Sequence, residues 1–237
     1  MKRLNAEQIE ALRKFDTPTI SNAIERFNLR KRTEGFMLPT VKKILLKDDK
    51  PMVGYACTAK ISAENPPTDQ QKELLFDYYQ HIIDTEGPKI SVIQDVDDRP
   101  IGSFWGEVQA TIHVTLGVSG VITNGGVRDL DEVADLGFSY FASEVLVSHG
   151  YIHVEQVAQP VTFAGLTVKP GDLLHADKHG VCLIPNEIAH ELAAACELTA
   201  DAERPMLDGC TNAPKGSVTV DDLRLWRKEM EMLRQAK

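Results

Sequence analysis

The sequence predicts a mixed α/β protein, and three observations carry that prediction. The run from Trp105 to Leu136 reads as a helix, a nearly all-apolar strand over Val118–Thr123, a glycine turn at Asn124-Gly125-Gly126, and a second helix over Leu130–Leu136. Val53–Ile61 reads as another strand, and Ile90–Gln94 as a buried one. From His149 to Ile184 the chain breaks into short β segments, so helices precede and interleave with strands and a β-rich segment follows.

Taken in order, residues 5–14 form a short amphipathic helix with Ile9 and Leu12 on one side. Asp16 or Thr17 can cap a second helix, with Pro18 at its favoured first position, running to about Phe27. Arg30-Lys31-Arg32 is a small basic cluster that reads as a solvated loop. Pro66-Pro67 breaks the chain after the first strand. Asp69–Thr85 then has helical spacing, with Leu74, Leu75, Tyr78, His81 and Ile82 on a shared face, which makes His81 a core-edge histidine. Ile90–Gln94 runs into Asp95, Asp97 and Asp98. Such a cluster can bind a cation, but a solvated turn is its commoner meaning. Ser139–Val147 reads as a strand, Glu187–Ala202 as a helix, and Asp201–Lys215, with two prolines, as a connector. Asp221 or Asp222 caps a last helix to about Gln235, whose stripe of Leu223, Trp226, Met230 and Leu233 must dock on its own or a neighbouring subunit. We therefore expect one α/β domain over residues 1–205, with residues 206–237 forming a connector and a C-terminal amphipathic arm.

Composition narrows the function classes. The chain has 237 residues, 43% of them hydrophobic, which is enough for a real core and argues against disorder. Net charge is −9, without a basic stripe interleaved with aromatics, so direct nucleic-acid binding is not expected. An acidic protein that handles an anionic substrate must supply positive potential locally. Cys57, Cys182, Cys196 and Cys210 contain no C-x-x-C pair and read as reduced cysteines, mostly core filler. The start, Met1 to Glu7, reads as charged and helical rather than as a signal peptide, and no apolar run approaches a membrane span; a cytoplasmic protein is expected.

Function rests on the central run. Its helix begins near Gly106 with Glu107 in the first turn, and the amides of Glu107, Val108 and Gln109 lack intrahelical partners, which makes an anion site. Gly106 lets a ligand approach the backbone. Arg128 and Asp129 sit side by side at the carboxyl end of a buried strand, where open α/β sheets put ligands. Arg128 offers a planar fork for a carboxylate or an enolate oxygen. Asp129 offers a hard oxygen to a hard cation such as Mg²⁺, which keeps most of its waters. The same residues have a plainer meaning. Asn-Gly is a strong hairpin signal, and Arg-Asp at a helix start can be a capping carboxylate with a solvated neighbour.

Other chemistries find little support. His175, Asp177 and His179 match no standard zinc spacing and read as hydrogen-bonded surface groups. A Schiff-base lyase needs a desolvated lysine, for which Lys60 is the sole candidate. There is no Gly-x-Gly-x-x-Gly after a strand, no P-loop and no Gly-x-Ser-x-Gly.

The pattern Gly106-Glu107-Val108-Gln109-Ala110-Thr111, followed by Gly117-Val118-Ser119-Gly120-Val121-Ile122-Thr123-Asn124-Gly125-Gly126-Val127-Arg128-Asp129, resembles the RraA-like family. Phe15–Ala23 is similar to that family's N-terminal segment, and Pro170–Asp177 with Gly180-Val181 and Pro185 to its late β-rich segment. The family includes divalent-metal 4-hydroxy-4-methyl-2-oxoglutarate / 4-carboxy-4-hydroxy-2-oxoadipate aldolases and a protein regulator of ribonuclease E. The resemblance implies a compact α/β/β/α sandwich similar to the swivelling phosphohistidine domain, assembled as a homotrimer or homohexamer with sites at subunit interfaces. It implies a lyase, an aldolase or oxaloacetate decarboxylase, that acts on a small anionic 2-oxo acid through a pyruvate enolate with Mg²⁺ or Mn²⁺. Asp129 would then hold the metal largely through water, with Glu107 on the metal's waters. The amides of Val108 and Gln109, beside Gly106, would receive the substrate's 1-carboxylate, and Arg128 would contact the 2-oxo oxygen. A further carboxylate, Glu203 or Glu197, would come from a neighbouring subunit. The alternative that the family implies is a non-catalytic protein that inhibits ribonuclease E. One departure stands out: the family commonly has arginine after Phe-Ala, whereas Ser143-Glu144 follow Phe141-Ala142 here, which implies a different second half of the substrate site.

Overall fold

The computed structural model describes residues 3–235. Two short helices open it, α1 (Ala6–Leu12) and α2 (Thr17–Glu25). A reciprocal box between Asn5 and Gln8 starts α1. Asp16 caps α2 by accepting the Thr19 amide at 2.8 Å, with Pro18 in the first turn, where a missing N–H costs nothing. Then come β1 (Lys42–Leu45), β2 (Met52–Ser62), α3 (Asp69–Asp84), β3 (Lys89–Asp95) and β4 (Ser103–Trp105). The central run forms α4 (Glu107–Thr115), β5 (Val118–Thr123), β6 (Gly126–Val127) and α5 (Leu130–Asp135). It continues as β7 (Ser139–Ala142), β8 (Glu144–Val145), β9 (His153–Val157), β10 (Val161–Phe163), β11 (Leu166–Val168), β12 (Leu173–Asp177) and β13 (Gly180–Ile184). Two longer helices close the chain, α6 (Leu192–Asn212) and α7 (Val220–Gln235). No helix among the described residues is long and apolar enough to cross a membrane.

The main sheet runs β1-β7-β5-β3-β2-β12-β13, with β9 also pairing β2. β2, β3, β5 and β7 are mutually parallel, so their carboxyl ends meet at one edge of the structure. β2 pairs β3 along one side; on the other it pairs β12 in its first half and β9 in its second, which curls the sheet. Side-chain alternation along β2 then divides the core. Val53 and Tyr55 pack in one cluster with α1, α2 and α6, and Cys57, Ala59 and Ile61 in another with α3, α4 and α5. Met52 and Ala56 point the opposite way, into a cluster with Val92, Ile122, Phe141 and the β10–β11 hairpin. Helices therefore cover one face and the hairpin the other, and the expected α/β fold class holds.

Several local expectations are corrected. The connector expected from Asp201 is helical to Asn212, because α6 continues through Pro205. Packing against α7 outweighs the proline's lost bond. Gly209 admits Trp226 so closely that a Cβ there would lie 2.4 Å from the indole, and Arg234 Nη2 meets Glu203 Oε1 at 2.9 Å. The strand expected over Ser139–Val147 is broken at Ser143, and β8 belongs to a separate three-stranded sheet with β4 and β6. Arg30 is not solvated: its guanidinium donates to the Leu183 carbonyl at 2.7 Å.

His175 and Asp177 are buried rather than superficial, at 0% and 4% exposure. His175 Nδ1 lies 2.9 Å from Thr17 Oγ1, and the Thr17 amide donates to Asp177 Oδ2 at 2.9 Å. The Asp177 carboxylate also accepts the His179 amide at 2.8 Å. These residues fasten the start of α2 to β12. Burial pushes the His175 imidazole down from 6.5 to about 4. The unfolded chain binds this proton first, so the hub's contribution is complete above pH 6.5 and is lost as pH falls towards 4. Thr17→Val leaves His175 Nδ1 without its partner and should cost about 1–3 kcal/mol. Urea unfolding at neutral pH measures that loss.

Candidate active site

The site forms where β4 and β6 run side by side. Their parallel pairing sets Trp105 against Val127, and the Arg128 amide donates to the Trp105 carbonyl at 2.9 Å. This brings the start of α4 against Arg128 and Asp129. Asp129 adopts a left-handed backbone, φ 55° and ψ 51°, at the start of α5. Its side chain bonds no amide of α5. Its Oδ2 instead accepts the Glu107 amide, the first of α4, at 2.9 Å. The capping reading of Asp129 is thus realised across the chain, on a different helix. A Cβ at residue 106 would lie 2.4 Å from Asp129 Oδ2 and 3.0 Å from Arg128 Nε, so only glycine leaves room for this contact.

The contact alters the expected anion site. Of its three amides, Glu107's is already occupied by Asp129. Those of Val108 and Gln109 remain, beside a Val108 that is 72% exposed. Arg128 Nε stands 3.7 Å from Asp129 Oδ2, with both side chains about one-third exposed, at 34% and 35%. The Glu107 carboxylate is exposed and bonds no other side chain among the described residues. Gln109 Oε1 accepts the Tyr79 hydroxyl at 2.9 Å, which fixes the flank of α4.

The Asn124-Gly125-Gly126 turn is no hairpin, since β5 and β6 lie in different sheets. Its geometry comes from side chains at neighbouring strand ends. Asn124 Oδ1 accepts the Asp95 amide and its Nδ2 donates to the Asp95 carbonyl, both at 2.8 Å. Ser143 Oγ donates to the Asn124 carbonyl at 2.6 Å. Ser143, expected to reshape a substrate pocket, therefore clamps the turn from below, while Glu144 is exposed.

Asp95 is a second correction. It is 2% exposed, not solvated. Its Oδ1 accepts the Asp97 amide at 3.0 Å, and its Oδ2 has no partner beneath Gly125. Asp97 turns away to bind Ser62 Oγ at 2.6 Å and the Ala63 amide at 2.7 Å, so the three acidic residues make no cation site. An aspartate directly at the end of an apolar parallel strand was the signal that sequence reasoning passed over. Tyr140 is fully buried on β7, and its hydroxyl has no hydrogen-bond partner.

The other candidates stand apart. His149 Nδ1 contacts the Gly150 carbonyl, and His153 Nε2 pairs with Glu155 at 2.8 Å. Glu203 is held by Arg234, and Glu197 is exposed elsewhere on α6. No group of three or more His, Cys, Asp or Glu that could enclose a metal occurs among the described residues. Asp129, with one carboxylate oxygen unengaged, and the free Glu107 carboxylate are nonetheless the ligand type that a largely hydrated hard cation takes.

The family model described as RraA-like (Aldolase/RraA) matches residues 17–183. The chain belongs to the RraA-like family. Among curated relatives of this RraA-like chain, a Pseudomonas syringae pv. tomato protein bearing the name of a candidate 4-hydroxy-4-methyl-2-oxoglutarate aldolase is 38% identical over 85 residues, which is 35% of this chain and 52% of the relative. DlpA of Legionella pneumophila is 28% identical over 108 residues, 44% of this chain and 18% of DlpA. The match thus spans about half the length of the first relative and under a fifth of the second. Among solved structures, an uncharacterised Pseudomonas syringae protein superposes with a TM-score of 0.70 at 18% identity, over 94% of this chain and 95% of that one. Streptomyces coelicolor RraAS2, described as an unusual member of the RNase ES inhibitor RraA family, superposes with a TM-score of 0.65 at 16% identity, over 90% and 100% of the two chains. These structures share the fold.

Burial pushes the Asp95 carboxyl up from 3.8 to about 6. Between those values the folded protein keeps a proton that the unfolded chain releases, so raising the pH through this window destabilises the native state. Asp95→Asn removes the ionisation. Its melting temperature relative to wild type should rise through the window and level off above it, as thermal melts on either side would show.

Proposed function

We propose that this chain is a divalent-metal-dependent lyase that releases pyruvate from a small 2-oxo acid, either a 4-hydroxy-2-oxo acid of the 4-hydroxy-4-methyl-2-oxoglutarate type or oxaloacetate. The single observation that carries the reading is the union of the α4 start with Arg128 and Asp129, held by the Asp129–Glu107 contact. The aldolase name of several relatives supports it.

The amides of Val108 and Gln109 bind the 1-carboxylate at the positive end of α4, and Gly106 lets it come close. Arg128 donates to the 2-oxo oxygen. Breaking the C3–C4 bond leaves its electron pair on C3, and the charge spreads to the C2 oxygen beside the guanidinium. With a hydroxyl on C4, a base removes the hydroxyl proton as C4 becomes a carbonyl, and the exposed Glu107 carboxylate is placed to take it directly or through water. With oxaloacetate, C4 leaves as CO₂ and no base is needed. Protonation of C3 then gives pyruvate in both cases. Mg²⁺ or Mn²⁺ held by Asp129 and Glu107, largely through water, would supply Lewis-acid stabilisation of the same oxygen. The proposal includes a homotrimer or homohexamer in which Glu197 or Glu203 of a neighbour completes the water shell. Glu197 is the better candidate, because Arg234 already holds Glu203.

The test is pyruvate release from each substrate with Mg²⁺ and then with EDTA. Metal-dependent release from either supports the reading. No release by well-folded protein rejects it and favours the non-catalytic inhibitor of ribonuclease E, which a pull-down with that enzyme would check. Arg128→Ala and Asp129→Ala should each remove about 3 kcal/mol of transition-state stabilisation, roughly a hundredfold in kcat/KM. Near-normal turnover by either variant would exclude the assigned roles.

A further inference from the structure

A cavity of about 330 Å³ opens at the other end of the sheet from the candidate active site. Met52, Pro88, Ser119 and Ser139 form part of its lining, and they mark the amino ends of β2, β3, β5 and β7. Its size falls at the lower end of small-ligand sites, roughly 300–1,000 Å³. The floor is apolar and buried: Ile9, Met52 and Val53. The rim is cationic. Arg13, Lys47 and Lys50 line it, against a single carboxylate, that of Asp48. The Pro51 carbonyl holds the Arg13 guanidinium by accepting from Nε at 3.0 Å, and Glu10 stands 3.7 Å from its Nη1. The Lys47 and Lys50 ammonium groups have no hydrogen-bond or ion-pair partner among the described residues. Exposed lysines alone would be a solvated surface. Here a buried hydroxyl joins them. Ser139 is 2% exposed, its Oγ accepts the Lys47 amide at 3.2 Å, and its own proton has no acceptor among the described residues.

We propose that this cavity is a second binding site, for a small dianion with an apolar body: a short dicarboxylate or an organic phosphate monoester. Charge balance sets the class, because three cations less the Asp48 carboxylate leave two positive charges for a ligand to meet. Guanidinium and ammonium donors suit the oxygens of either anion. The Ser139 hydroxyl donates to one of those oxygens, and the body of the ligand covers Ile9, Met52 and Val53. Inorganic phosphate would meet the charge but leave that floor unfilled. The proposal shares no residue with the lyase reading and does not depend on it.

The test is calorimetric titration of the full chain with glutarate, phenyl phosphate and inorganic phosphate, at neutral pH and low ionic strength, where screening is weakest. It is repeated on the double variant Lys47→Gln/Lys50→Gln, whose exposed positions leave the melting temperature unchanged. It is repeated again on Arg128→Ala, which reports any dianion captured at the candidate active site instead. Glutarate or phenyl phosphate should bind wild type more tightly than inorganic phosphate does. The lysine variant should bind that probe about tenfold more weakly or worse, as the loss of two charged donors implies, and Arg128→Ala should leave its binding in place. The tighter probe tells a dicarboxylate from a phosphate monoester. No binding of either at millimolar concentration overturns the proposal. Inorganic phosphate binding as tightly as both organic probes also overturns it, since charge alone would then suffice. So does binding that the lysine variant retains, whatever Arg128→Ala does.

Discussion

The hydrogen bond from the Glu107 amide to Asp129 Oδ2 joins two helices that the chain separates by a full strand. It needs a left-handed residue at 129, a conformation that aspartate tolerates better than most. It needs glycine at 106, because any side chain would occupy the carboxylate's place. It also needs β4 and β6 in register, because their pairing carries Trp105 past Val127. Once it forms, the positive end of α4, the Arg128 fork and two carboxylates face one volume.

The support beneath this site is polar and half-buried. The four parallel strands end together, and their last residues hold one another: Ser62 with Asp97, Asp95 with Asn124, and Asn124 with Ser143. Such a network holds the turn because its carbonyls already have partners: those of Asn124 and Gly125 accept from Ser143, and that of Gly126 from Ser103. Its exceptions cluster near the site. Asp95 Oδ2, Arg128 Nε and the Tyr140 hydroxyl are buried atoms without a hydrogen-bond partner, although Arg128 Nε faces Asp129 at 3.7 Å. A fold optimised for stability alone would remove these groups; their concentration here matches the general tendency of functional sites to break the rules that the rest of the core obeys.

Away from the site, the polar hub of Thr17, His175 and Asp177 serves the fold. It ties the start of α2 to β12 and, among the described residues, forms no group that could hold a metal, although its residue types suit one. The contrast with Asp129 is instructive: both aspartates accept backbone amides at helix starts, but Asp177 is sealed in the core while Asp129 stays one-third exposed at a strand end. Exposure and an unfilled oxygen separate the carboxylate at the candidate site from the structural one.

The sequence by itself determined the class of fold, the main strands of the parallel sheet and the cap of the second helix. Those features depend on local periodicity, capping residues and a contiguous motif, all of which are written along the chain. It also contained Gly106, Arg128 and Asp129 as a group, because strand, turn and helix are consecutive there. The tertiary structure decided the rest. Which helix Asp129 caps, that Ser143 clamps a turn, and that Asp95 and His175 are buried all depend on which strands lie beside one another. The run of α6 through Pro205 likewise depends on Trp226, distant in sequence but packed against Gly209. Side-chain burial and cross-chain hydrogen bonds are properties of neighbours in space, and one-dimensional spacing does not encode them.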